Sequence, residues 1–161
     1  MNLIKSFFNR RSLGDVVEKI IGTNYADINA ISHADWSLYS TCRGRRHKEA
    51  IIDNLNIIAD SSYDEDTRQD AINDGLWDLY VHQYTLYTVT PLVLDYILNQ
   101  ISSNKYEPLK EFIDFIKICI NSGTKGMHMT ALEIMANKAG RLPIFRIEDV
   151  VGRYVENSLQ K

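Results

Sequence analysis

The sequence has 161 residues, 45% of them hydrophobic and 24% charged, which suits one globular domain able to bury a core without disulfide or metal staples. Its formal net charge of -3 gives no electrostatic reason to approach phosphate backbones or anionic lipid, so nucleic acid is set aside as a partner. Cys42 and Cys119 lie far apart with no CxxC pair and no companion His spacing, which indicates neither a zinc site nor a disulfide framework and predicts free thiols in a reducing compartment, with no cofactor.

At the amino end, Met1 to Phe8 carries Leu3, Ile4, Phe7 and Phe8, but the run is interrupted at Lys5 and stops at Asn9-Arg10-Arg11. It is too short for a secretory core, and no stretch reaches the roughly 20 apolar residues of a membrane span. A cytoplasmic location is the expectation. Residues 1–11 read either as a mobile lead or as a first helix packing on the core, with a weak interfacial helix flanked by Lys5, Arg10 and Arg11 as the alternative. Ser12 to Ile21 opens on a Ser-x-x-Asp capping pattern and continues with Val16, Val17, Ile20 and Ile21 at helical spacing, which predicts a helix.

Gly22 to Ser40 is less regular, with Trp36 and Tyr39 near its end. After the basic run Arg43 to Lys48, the residues Ile51, Leu55 and Ile58 recur at i, i+4 and i+7 and define an amphipathic helix. Asp64 can cap the next, which carries Ala71, Ile72, Leu76, Leu79 and Tyr80; Gly75 inside it costs about 1 kcal/mol relative to Ala and predicts a kink or a split. Thr90-Pro91 is an N-cap and first-turn pair, and Leu92, Val93, Leu94, Tyr96, Ile97, Leu98 and Ile101 make the following helix apolar nearly all round, so it is expected at the centre.

Pro108 opens another helix, with Leu109, Phe112, Ile113, Ile116, Cys119 and Ile120 on its expected inner face and Ser122-Gly123 as its stop. A shorter one carries Leu132, Met135, Ala136 and Ala139 and ends at Gly140. The last runs from about Ile147 through Val150, Val151, Tyr154 and Val155. No segment reads as a strand, because the β-branched residues fall at intervals of three and four and not in alternation. The expectation is therefore an all-α fold over residues 1–161: a single domain of six or more antiparallel helices, either a compact array or a short α-solenoid of stacked pairs.

The stretch Leu76-Trp77-Asp78-Leu79-Tyr80-Val81-His82-Gln83-Tyr84-Thr85-Leu86-Tyr87-Thr88-Val89-Thr90 resembles a group of small bacterial HEAT-repeat-like proteins. In that group a helix ends in His-Gln, a turn with spaced Thr, Tyr and Thr follows, and an apolar helix comes next. His82, Gln83, Thr85, Tyr87 and Thr90 match in order and spacing, Trp36 and Gly44 match loosely upstream, and the likeness covers roughly Trp36 to Ile101. Tyr84 stands where the group usually has Gly, Asp95 replaces a usual Pro, and the basic run Arg43 to Lys48 replaces a blander linker. The resemblance implies an α-solenoid scaffold whose members are mostly binding proteins, some of them immunity partners of bacterial toxins.

Two constellations stand out. His82, Gln83, Thr85, Tyr87 and Thr90 have the composition of a catalytic cluster, but no nucleophile or tuning partner is identifiable from the sequence. Read structurally, they bond the orphan carbonyls of one helix and the first amides of the next and fix a tight turn. Asp66, Asp70, Asp74 and Asp78 follow at four-residue intervals and form a carboxylate stripe if the helix is continuous, at a cost of a few tenths of a kcal/mol per pair.

That stripe is either paired with Arg43, Arg45, Arg46 and Lys48, or solvated, or a docking surface for a basic partner with Trp77, Tyr80 and Tyr84 as aromatic anchors, with metal binding by the carboxylates as the remaining alternative. His47 and His128 are isolated and read as surface or cap residues, and Met127, Met129 and Met135 as core filler. No phosphate-binding loop, GxSxG elbow or HExxH helix is present. Taken together, the sequence leads to the expectation of a non-enzymatic protein-binding module, specifically an immunity protein that occludes a toxin with a basic surface. The alternatives are a small hydrolase or modifying enzyme using His82 with nearby carboxylates, and a structural subunit of a larger assembly.

Overall fold

The computed structural model describes residues 23–159, so the readings of residues 1–11 and of the helix over Ser12 to Ile21 lie outside the described residues. Among those described, the chain is 63% helical but also carries five short strands in two sheets. The all-α expectation is corrected accordingly. Strands β1 (Ser40–Thr41) and β2 (Gly44–Arg45) pair as one antiparallel hairpin, with Gly44 at φ 95°. Strands β3 (Val81–His82) and β4 (Thr85–Tyr87) form a second hairpin, and β5 (Met127–His128) adds to β4 in parallel.

The second hairpin occupies the stretch expected to be a helix-to-helix turn. His82 pairs with Thr85 around a two-residue loop in which Gln83 and Tyr84 both have positive φ, 46° and 66°. That is the left-handed pair a tight hairpin loop requires, because its twist matches that of the strands it joins. Neither residue is Gly or Asn, so the usual signal for such a loop is missing from the sequence.

Helix α1 (Lys48–Ala59) buries Ile51, Leu55 and Ile58 as the period requires. Helix α2 (Glu65–Ala71) begins at Asp64, whose carboxylate accepts from Thr67 N at 2.8 Å, and Glu65 and Asp66 complement the positive end of the helix dipole. It runs without a break into a π-helical turn over Ile72–Tyr80. Asn54 of α1 explains that change of winding: its Nδ2 donates to the Ala71 carbonyl at 3.1 Å and its Oδ1 accepts from the Tyr80 hydroxyl at 2.9 Å. A Cβ on Gly75 would lie 2.1 Å from Asn54 Oδ1. Gly75 is therefore the close-approach site that lets Asn54 reach both ends of the π-turn.

Helix α3 (Thr90–Ser102) has Pro91 in its first turn and buries Thr90, Pro91, Leu92, Val93, Leu94 and Ile97. It packs on α4 (Lys110–Ser122) and on α6 (Ile147–Leu159), which also pack on each other. Within α4 the buried residues are Phe112, Phe115 and Cys119, whereas Ile120 is exposed.

This group is not a solenoid. A solenoid repeat touches only its sequence neighbours, but here Asn24 N donates to Asn137 Oδ1 at 3.0 Å, Tyr25 bridges Ile144, and the Tyr39 hydroxyl donates to the Pro143 carbonyl at 2.6 Å. The first described residues are thus bonded to the last forty, closing the array.

Helix α5 (Ala131–Lys138) departs most from its sequence pattern. Met135, read as core filler, is 66% exposed and Leu132 is 68% exposed, while Glu133 and Asn137 are buried. The buried polar groups are fully used. Asn137 Nδ2 donates to the carbonyls of Asn24 and Leu142, both at 2.9 Å. Glu133 accepts from the Ser40 hydroxyl at 2.8 Å, from Thr130 N at 3.0 Å and from the Thr88 hydroxyl.

Candidate functional site

Asp66, Asp70 and Asp74 are exposed, and none of them makes an ion pair among the described residues. Asp78 leaves the stripe. It is 18% exposed, and its Oδ2 lies 2.8 Å from Arg43 Nε. Intramolecular pairing with the basic run is thus realised at one carboxylate of four.

Of the three aromatic anchors, Tyr80 is withdrawn from the proposed surface: it is sealed in the core with its hydroxyl on Asn54. Trp77 is half-buried with its ring 6.5 Å from that of Phe115, and Tyr84 is 47% exposed at the hairpin tip. Trp77 and Tyr84 flank a groove of about 550 Å³ that also takes in Val81, Ile118, Asp114 and Lys117. The Asp114 carboxylate is held by Lys110 at 2.6 Å.

The turn motif divides. Through its hydroxyl Thr90 donates to the Tyr80 carbonyl at 2.6 Å and accepts from Tyr87 N at 2.8 Å, closing the π-turn and the hairpin together. It does so as the first residue of α3, with Val89 at the cap position. His82 does not cap anything. Its Nδ1 lies 3.3 Å from Asp78 Oδ1, within ion-pair reach, yet the angle is not that of a hydrogen bond and the buried nitrogen has no hydrogen-bond partner.

His82, Gln83, Thr85 and Tyr87 instead line a cleft of about 400 Å³ between the two hairpins, opposite Thr41 and Cys42, with His128 and Thr130 at its side. His128, read as isolated, stands edge-on to Tyr87 at 6.2 Å. Sequence reasoning missed Cys42 as a neighbour of His82, because hairpin loops forty residues apart carry no common periodicity.

It also missed the polar wall behind the cleft formed by Ser40, Thr88 and Glu133. A signal for part of it was present, since Thr130-x-x-Glu133 is a capping-box pattern. Burial raises the pKa of the Tyr39 hydroxyl beside this wall, with Glu133 and Asp35 adding to the shift, and raises that of the Cys119 thiol inside α4. Neither group can ionise usefully near neutrality. Among the described residues no three His, Cys, Asp or Glu side chains converge as a metal-ligand set. No protein-family model matches the chain, and no curated protein or solved structure is detectably similar to it.

Proposed function

We propose that this chain acts by binding another protein, and that the bound surface is the exposed acidic run Asp66, Asp70 and Asp74 together with the groove flanked by Trp77 and Tyr84. The observation that carries this reading is the absence of any ion pair at those three carboxylates among the described residues, although Arg45 and Arg46 are exposed nearby in the sequence. Like charges one turn apart repel, and a basic partner removes that repulsion while steering association. Trp77 and Tyr84 supply large amphipathic anchors beside the charge.

The specific form of the proposal is an immunity protein that occludes the basic, substrate-binding surface of a toxin. It rests on the resemblance of the His82 to Thr90 stretch and on this acidic face. The test is co-purification of the tagged chain from its own host with the product of the adjacent gene, followed by stopped-flow association across a salt series. A one-to-one complex whose association slows as salt rises supports the reading; a salt-independent rate removes the acidic face from it.

A further inference from the structure

We propose that the cleft between the two hairpins is a thiol site in which Cys42 is a nucleophile, His82 its general base and Asp78 the residue that positions His82, acting on an activated carbonyl such as an ester or thioester. The proposal is independent of the docking surface, since it uses none of Asp66, Asp70, Asp74, Trp77 or Tyr84. Four observations carry it.

Cys42 and His82 line the same cleft. Cys42 is partly buried at the edge of the core, whereas the only other cysteine of the sequence, Cys119, is fully buried. The backbone at Cys42 is fixed against the end of the helical run that carries Asp78, because Cys42 N donates to the Leu79 carbonyl at 2.9 Å, and the next residue, Arg43, holds Asp78 Oδ2 at 2.8 Å. Finally, Asp78 Oδ1 lies at ion-pair distance from His82 Nδ1, 3.3 Å, without the geometry of a hydrogen bond, so in the proposal Asp78 acts on His82 through its charge and Nε2 is the nitrogen assigned to the thiol.

Carboxylate, imidazole and thiol in that order are the parts of nucleophilic acyl transfer. The structural alternative for His82, capping a helix end, is already filled by Thr90. The charged neighbour of the imidazole is Asp78, which also pairs with Arg43.

The chemistry balances with water as the only co-reactant. His82 Nε2 takes the proton of Cys42 Sγ as sulfur attacks the carbonyl carbon. The tetrahedral adduct then collapses, breaking the bond to the leaving oxygen or sulfur, which recovers the proton from His82. Water, deprotonated by His82, next attacks the thioester on Cys42; the C–S bond breaks and thiol and carboxylic acid are released. Thr85, Thr130 and Gln83 also line the cleft.

The test uses the full chain with two probes at pH 7, iodoacetamide for thiol reactivity and p-nitrophenyl acetate for acyl transfer. The expected result is a single label on Cys42 by peptide mass, formed at least about tenfold faster than on free glutathione, and an acetyl adduct on Cys42 with release of p-nitrophenolate. His82→Ala and His82→Gln should each slow both reactions on the order of tenfold or more. The direction is informative because truncating His82 opens the cleft, so loss of simple shielding would accelerate labelling.

Asp78→Asn should slow the reactions less than the His82 changes, and Asp78→Glu should restore part of the rate at matched melting temperature, as a positioning role requires. A wild-type rate equal to that of glutathione, or labelling that His82→Ala leaves unchanged or speeds, would overturn the proposal and make Cys42 an ordinary surface thiol. The glutathione comparison needs no variant, so a misfolded mutant does not protect the idea.

Discussion

At Gly75 one absent side chain allows Asn54 to bond two groups at once, the Ala71 carbonyl and the Tyr80 hydroxyl. Gly75→Ala should therefore destabilise by about 2 to 4 kcal/mol, more than helix propensity explains, since it displaces Asn54 and leaves both partners unsatisfied. The measurement is a double-mutant cycle by urea unfolding: with Asn54→Ala already in place, the added cost of Gly75→Ala should nearly vanish.

Thr90 and His82 separate in the same way. Thr90→Ala loses two buried hydrogen bonds and should cost about 1 to 3 kcal/mol, whereas His82→Ala removes no hydrogen bond and should leave the unfolding midpoint almost unmoved. Tyr84 sits at φ 66°, where a side chain costs roughly 1 kcal/mol. Tyr84→Gly should thus raise stability by about that amount while weakening the proposed partner complex, a trade visible only when both quantities are measured on one protein.

Helices α1, α3, α4 and α6 were legible in the sequence because each spans three or more turns, long enough for the 3.6-residue period to show. The five strands were not legible, since two or three residues cannot display alternation and the loop at Gln83 and Tyr84 lacks the glycine that marks such hairpins. For the candidate sites, the acidic run could be read directly, but Asp78 was assigned to it when its partners, Arg43 and His82, come from a hairpin and a strand.

In helix α5 Met135 was read as core filler, but the buried face is Glu133 and Asn137, whose partners at Ser40, Thr88 and Asn24 are distant in sequence and invisible to any local pattern. The consequence is a reversal of the usual rule for helix substitutions. Glu133→Ala should cost about 2 to 4 kcal/mol by leaving Ser40, Thr88 and Thr130 donors unpaired, and Leu132→Lys with Met135→Lys should shift stability by no more than about 0.5 kcal/mol. Thermal unfolding of the two variants side by side checks this ordering.

Across the whole molecule, two carboxylates give the pH dependence opposite signs. Burial raises the pKa of Asp95, only partly offset by Arg153 and the Tyr154 hydroxyl. Its contribution is present below its ordinary value of 3.8 and is lost as pH rises through the higher folded value. At Glu148 burial also pushes upward, but hydrogen bonds from the Thr124 hydroxyl and amide outweigh it and leave the pKa lowered. That contribution is present above 4.5 and is lost as pH falls through the lower folded value. Melting temperatures at pH 3.5 and 6.5 should show Asp95→Asn gaining on the wild type as pH rises and Glu148→Gln losing ground over the same interval.

Charge also governs the proposed complex: reversing Asp66 and Asp70 to Lys should slow association with little change in melting temperature, because neither carboxylate has an internal partner among the described residues. The same chain has no helix, among the described residues, that is long and apolar enough to cross a membrane.

The closure of the early chain onto its last forty residues bears on synthesis. Asn24 waits for Asn137, Ser40 for Glu133, Tyr39 for Pro143, and the Ile28 carbonyl for Arg153, whose Nη2 reaches it at 2.8 Å. Those partners lie in the last forty residues of the sequence, so these bonds form later than the ones the same segment makes to mid-chain residues, Trp36 with Tyr96 and Ser40 with Thr88. A chain truncated after Asn121 should leave Tyr39 open to protease, because its hydroxyl partner Pro143 and its ring neighbour Phe145 are both missing, and the full chain should protect it.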